Sequence, residues 1–182
     1  MTDLPAPGST LVIGLGNPLM GDDGFGLAVL ERLRARWRVP EAVTLVDGGT
    51  WGLQLLPGIE GAERLLLVDA IDVGESAGSP VRLERAELPR YFALKVSPHQ
   101  VDLCDVLALA ELRGALPDEV VAVGEQPGDV SLRLSLSPAV EAHVDRAVGA
   151  VLRELARWGS RCEPILPDAA ADREASEAAC TS

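Results

Sequence analysis

Four short apolar runs, over residues 10–14, 43–46, 65–68 and 120–123, lack the polar alternation of a strand with one wet face. Strands of that kind are covered on both sides, the situation of a parallel sheet between two layers of helices. Helical periods fall between the runs. Phe25, Val29, Leu30, Leu33 and Trp37 recur at helical spacing over residues 24–38, and a second helix is predicted from Pro98 to about Arg113. A third begins at Pro138, with Val140, Val144, Val148, Val151 and Leu155 on one side. A short helix is predicted between Trp51 and Ile59, and an edge strand or hairpin arm over residues 81–88. Alternating strands and helices predict an α/β fold: a single-domain three-layer sandwich with a twisted, mostly parallel sheet and helices on both faces.

The 182 residues suit one domain, placed at residues 1–159. Beyond Trp158 the apolar period stops. Residues 160–182 hold five acidic and two basic side chains among several alanines, so a disordered acidic, Ala-rich tail is expected there, and its deletion is expected to leave folding intact. The net charge of −12 argues against a nucleic-acid partner, because that affinity comes largely from Lys and Arg displacing counterions. Cys104, Cys162 and Cys180 form neither a disulfide framework nor a CxxC metal site. No basic segment followed by an apolar stretch opens the chain, and no apolar run reaches the roughly 18 residues of a membrane span. A cytoplasmic protein with no membrane partner is expected.

Open parallel sheets place their chemistry at the carboxyl ends of the strands. Three polar groups fall there: Gly21-Asp22-Asp23-Gly24 after the first run, Asp69 after the third, and Ser97-Pro98-His99-Gln100 at the start of the second helix. Ser97 and Gln100 have capping-box spacing, with Pro98 at the first helical position. His99 then sits in the first turn, where the positive end of the helix favours its neutral, metal-binding form. Two carboxylates and an imidazole suit a divalent ion such as Ni²⁺ or Zn²⁺ and leave positions open for substrate or water. Each residue also has a plainer reading. Asp22 or Asp23 caps the first helix, Asp69 accepts turn hydrogen bonds, and His99 is a polar residue of a helix start. His143, beside Glu141 and Asp145, reads as part of a solvated helix flank. Gly14-Leu15-Gly16 is not a dinucleotide loop, since Leu19 stands where GxGxxG requires its third glycine. A tight turn and a close chain crossing account for those glycines.

Gly14-Leu15-Gly16-Asn17-Pro18-Leu19 with Asp22-Asp23-Gly24, then Asp47-Gly48-Gly49-Thr50, Leu67-Val68-Asp69-Ala70 and Ser97-Pro98-His99-Gln100 together resemble the hydrogenase maturation endopeptidases in order and spacing. The stretch Val123-Gly124-Glu125-Gln126-Pro127, followed by Leu136-Ser137-Pro138-Ala139-Val140-Glu141, is similar to that family too. The resemblance implies a cytoplasmic hydrolase that removes a C-terminal peptide from the large-subunit precursor of a [NiFe] hydrogenase after nickel insertion. It implies that Asp23, Asp69 and His99 contact the nickel, which arrives with the substrate, so that no stored cofactor is needed. The first of these positions is often Glu in the family and is Asp here. Two rivals share parts of the pattern. Peptidyl-tRNA hydrolase also opens with a strand into Gly-Leu-Gly-Asn-Pro, but its catalytic histidine context is missing here. A nickel-checking chaperone that binds the subunit without cutting it would use the same three residues.

Overall fold

The structure, a computed structural model, describes residues 9–49, 52–88 and 98–166, and of residues 98–102 the backbone only. Strand β1 (Thr10–Leu15) leads through a 3-10 turn (Gly21–Gly24) into helix α1 (Phe25–Arg36) and the short β2 (Trp37–Arg38). Next come β3 (Val43–Gly49), a second 3-10 turn (Leu53–Leu55), α2 (Leu56–Gly61), β4 (Arg64–Ala70) and β5 (Pro80–Glu84). Helix α3 (Pro98–Leu112), β6 (Glu119–Glu125), α4 (Pro138–Glu141), α5 (Val144–Arg157) and β7 (Glu163–Pro164) complete the described chain.

The main sheet has the order β3-β1-β4-β6-β5. Its first four strands are parallel, with Val12 opposite Leu45 and Leu66, and Leu67 opposite Ala122. The edge strand β5 runs antiparallel to β6. Alternation along each strand sends side chains to opposite faces, and each face acquires its own helical cover. Val12, Leu66, Val68, Val121 and Val123 pack with Phe25, Val29, Leu30 and Leu33 of α1 and with Val144, Val148, Val151 and Leu155 of α5. On the opposite face Leu11, Ile13, Leu65, Leu67, Val120 and Ala122 meet Leu56 and Ile59 of α2 and Leu103, Val106 and Leu107 of α3. The α/β sandwich expected from the continuous apolar runs is the observed fold, and both helical layers are needed to dry them.

Two expectations change. The third helix is interrupted: Pro138–Glu141 forms one turn, and the longer helix begins at Val144 after His143, whose backbone stands at its N-cap. The boundary of the tail also moves. Glu163–Pro164 pairs antiparallel with Trp37–Arg38, the Ile165 N–H donates to the Arg36 carbonyl at 2.8 Å, and Cys162 packs against the cluster that holds Trp37 and Trp158. Residues 160–166 therefore belong to the fold. Their ordering comes from a partner strand more than 120 positions earlier in the sequence, which no local period announces. The rest of the predicted tail, residues 167–182, lies outside the described residues. A chain ending at Ser160 is expected to lose about 1–2 kcal/mol from this packing and to melt about 3–8 °C below the full chain in a calorimetric scan. An unchanged melting temperature would show that the β2–β7 pair is dispensable.

Candidate active site at the carboxyl edge

Strands β1, β3, β4 and β6 all end at one edge of the sheet. There the Gly21–Gly24 turn carries Asp22 and Asp23, and Asp69 is the penultimate residue of β4. Two glycines bring these segments together. Gly16 has φ +114°, and a Cβ on it would lie 1.6 Å from the Asp23 carbonyl oxygen, so only glycine lets the chain leaving β1 pass beneath the turn. Gly26, in the first turn of α1, has no room for a Cβ either, because the Val68 carbonyl oxygen would be 2.1 Å from it and the Leu15 carbonyl oxygen 2.5 Å. Helix α1 therefore begins directly over the ends of β1 and β4, two residues after Asp23 and beside the strand residue that precedes Asp69. The close crossing expected from the glycine-rich loop is present, and its consequence is to bring the turn that bears Asp23 against the end of the strand that bears Asp69.

The paired acidic residues divide their work. Asp22 is completely buried, and its carboxylate accepts four hydrogen bonds: at Oδ2 from the Gly128 and Asp129 N–H groups (2.8 and 2.9 Å) and the Ser137 hydroxyl (2.9 Å), and at Oδ1 from the Ser137 N–H (2.6 Å). Burial pushes the carboxyl up, but the donors from Ser137, Asp129 and Gly128 outweigh it and hold Asp22 below the usual carboxylate value. Neither aspartate's side chain caps α1, contrary to the plainer reading of the pair. Asp23 is 7% exposed, and its Oδ2 accepts the Asn17 N–H at 2.9 Å. The Asn17 side chain in turn accepts the Leu19 N–H at 3.0 Å, fixing the loop between β1 and the turn. Asp69 is 3% exposed and lies on the sheet face of Leu65 and Leu67, the side covered by α2 and α3.

The C-terminal end of α3 is tied to the opposite, amino edge of the sheet: Arg85 reaches Glu111 at 3.1 Å, and Arg113 reaches Glu60, just before β4, at 2.9 Å. The helix has 15 residues, about 22 Å of rise, and packs on both α2 and the Leu53–Leu55 turn that follows β3. That course carries the backbone of Pro98 and His99 back toward the carboxyl edge. The His99 side chain and Ser97, and with them the predicted capping box, lie outside the described residues. Among the described residues no group of three His, Cys, Asp or Glu side chains forms a metal cluster. What the described part of the edge supplies is two sheltered carboxylates, oxygen donors suited to a divalent ion.

Three polar residues near this edge have jobs that local spacing did not announce. Glu125, buried at the end of β6, pairs through both oxygens with Arg146, at 3.1 and 2.6 Å. His143 is turned toward the same carboxylate, its Nδ1 3.7 Å from Glu125 Oε2, so it belongs to this cluster and not to a solvated flank. It is Glu141 and Asp145 that face outward, where they meet Arg32 of α1. Gln126 fastens the loop after β4, its Oε1 accepting the Val73 and Glu75 N–H groups and its Nε2 donating to Asp72 Oδ1. The sequence clue was the buried strand that runs directly into a charged and an amide side chain. It marks an anchoring point without naming the partners.

Known proteins share this architecture. The model of the hydrogenase maturation protease family matches residues 27–154. A hydrogenase expression/formation protein, HupD of Rhodobacter capsulatus, is 41% identical over 155 residues, which cover 84% of this chain and 74% of that protein. The hydrogenase 2 maturation protease of Escherichia coli is 36% identical, over 85% of this chain and 94% of its own. Among solved structures, the hydrogenase maturating endopeptidase HybD of E. coli superposes with a TM-score of 0.83 at 34% identity, covering 86% of this chain and 97% of that one.

Proposed function

This chain belongs to the hydrogenase maturation protease family, an endopeptidase family of C-terminal processing, and from that premise we propose that it acts on the large-subunit precursor of a [NiFe] hydrogenase after nickel insertion. In this reading Asp23, Asp69 and His99 dock onto nickel already carried by the precursor. One observation carries it: the crossing of Gly26 over Val68 sets the buried carboxylates of Asp23 and Asp69 at the same edge, toward which the helix bearing His99 also runs. Oxygen donors with one imidazole suit a borderline divalent ion, and three protein ligands leave coordination positions for the precursor's own groups. The ion is part of the substrate. It sets the register of the cut and supplies Lewis-acid chemistry, by polarising the scissile carbonyl or by lowering the pKa of a bound water, so a serine or cysteine nucleophile is unnecessary.

Among the described residues no helix is long and apolar enough to cross a membrane. We place the reaction in the cytoplasm, where a nickel-loaded precursor would await assembly. The test is incubation of the purified protein with nickel-loaded and with nickel-free precursor, read as a mobility shift on a denaturing gel. The loaded precursor is expected to shorten, the nickel-free precursor to stay intact, and casein to remain undigested under the same conditions. Cleavage of the nickel-free form would remove the metal from the mechanism. A bound but uncut loaded precursor would point to a checking role without proteolysis.

A further inference from the structure

Among the described residues, six large apolar side chains stand exposed in the loops that follow the parallel strands: Leu19, Leu53, Val73, Val130, Leu132 and Leu134. All four loops lie at the edge that holds Asp23 and Asp69. The amino edge has the opposite character, with Arg64 on Glu119 at 2.6 Å, Arg85 on Glu111 and Asp118, and Arg113 on Glu60. Leu112, Ile165 and Leu166 are exposed singly or at the end of the described chain, and such scattered side chains need no explanation, but six gathered around one edge do.

The loop after β6 shows the feature most sharply. Leu132 and Leu134 are each 83% exposed, so they contribute almost nothing to the core. Yet the backbone that carries them is fastened on both sides. Arg133 N–H donates to the Leu19 carbonyl at 2.9 Å, the Gly21 N–H donates to the Arg133 carbonyl at 2.8 Å, and the Asp22 N–H donates to the Asp129 carbonyl at 2.8 Å. The buried Asp22 carboxylate takes four more donors from the two ends of the same loop. A buried charge is thus committed to holding an exposed apolar segment against the turn that bears Asp23. Preorganising a contact surface in this way lowers the ordering penalty of binding.

Resting on the function proposed above, we propose that Leu132 and Leu134, with Leu19 and Val130 beside them, form the docking surface for the precursor, taking an apolar patch that flanks its scissile segment. The surface is continuous with the edge over which an endopeptidase must receive its protein substrate, and this continuity selects the precursor as occupant over a second copy of the chain. Exposed anchors of this kind act on binding before they act on chemistry.

The test compares the full chain carrying Leu132→Ser and Leu134→Ser together with the parent and with Leu112→Ser, a control 84% exposed at the far end of α3. Because the leucines are exposed, the double variant is expected to melt within about 2 °C of the parent. With nickel-loaded precursor its KM is expected to rise about tenfold or more while kcat stays within about twofold, and Leu112→Ser is expected to change neither. An unchanged KM overturns the inference, as does a fall in kcat alone. If the parent sediments as a dimer and the double variant as a monomer, the face covers a second copy and the inference is overturned. If the parent fails to cut the precursor, the function proposed above fails. Precursor binding measured by interferometry then decides the docking surface separately, supported by a tenfold weaker Kd for the double variant and overturned by an equal one.

Discussion

Asp23→Asn is expected to leave a folded protein that matures its precursor at least about a hundredfold more slowly than the parent. That figure starts at the upper limit of the roughly 10–100-fold loss seen when a partner outside the metal shell is removed, as loss of a direct ligand should. The substitution separates two roles of one side chain. In the fold, Asp23 Oδ2 accepts the Asn17 N–H at 2.9 Å, and the amide oxygen of asparagine accepts the same donor. In the reaction proposed above, the carboxylate offers negative charge to a cation, which the amide does not. Melting within a few degrees of the parent, together with lost processing, is therefore the expected pair of results. His99→Ala is expected to match it. The comparison residue should be a carboxylate away from the edge: Asp118, fully exposed before β6, serves, and Asp118→Asn is expected to be neutral. His143 does not serve, because its ring faces the buried Glu125–Arg146 pair and its loss would disturb that cluster. Parental processing by Asp23→Asn would remove this residue from the nickel-docking set.

Much of the fold could be read from the chain because the relevant signals are local. A run such as Leu65-Leu66-Leu67-Val68 faces two helical layers and nothing else, so burial on both sides follows from composition alone. Helix α1 was visible for the same reason, since Phe25, Val29, Leu30 and Leu33 form one contiguous stripe. What local signals did not contain was pairing at a distance. The strand at Glu163–Pro164 exists because Trp37–Arg38 is there to receive it. The edge strand expected over residues 81–88 is present as β5, but its partner, the antiparallel β6 about 40 positions later, is not specified by its own five residues. The site divides in the same way. Strand ends were predictable, and with them Asp69 and the turn that follows β1. Which of Asp22 and Asp23 faces inward was not, since the deciding donors come from Gly128, Asp129 and Ser137, more than 100 positions away.

Asp22→Asn tests that division directly. The asparagine side chain has about the right shape, but its amide nitrogen would replace an oxygen that now accepts hydrogen bonds, and it would turn N–H groups toward N–H groups. Four donors converge on the two oxygens, so no flip of the amide relieves the conflict: Oδ1 faces the Ser137 N–H, and Oδ2 faces Gly128, Asp129 and the Ser137 hydroxyl. A loss of about 2–4 kcal/mol is expected, which for a chain of this size lowers the melting temperature by roughly 5–15 °C. The pH dependence carries a second signature. Hydrogen bonds hold the folded Asp22 below its ordinary value despite the opposing effect of burial. The folded state therefore releases this proton more readily than the unfolded chain does. Its stabilisation is fully present above the unfolded aspartate value of about 3.9 and disappears as the pH falls through the lower, folded value. Between neutral pH and about pH 3 the parent should thus lose stability faster than Asp22→Asn, and the gap between their denaturant midpoints should narrow. A gap independent of pH would mean that the loop is held by its backbone contacts and that the buried charge contributes little. The loop in question bears Leu132 and Leu134, so a folded Asp22→Asn measured well below its melting point should also show a raised KM for the precursor, the result expected when a surface is present but no longer held in place.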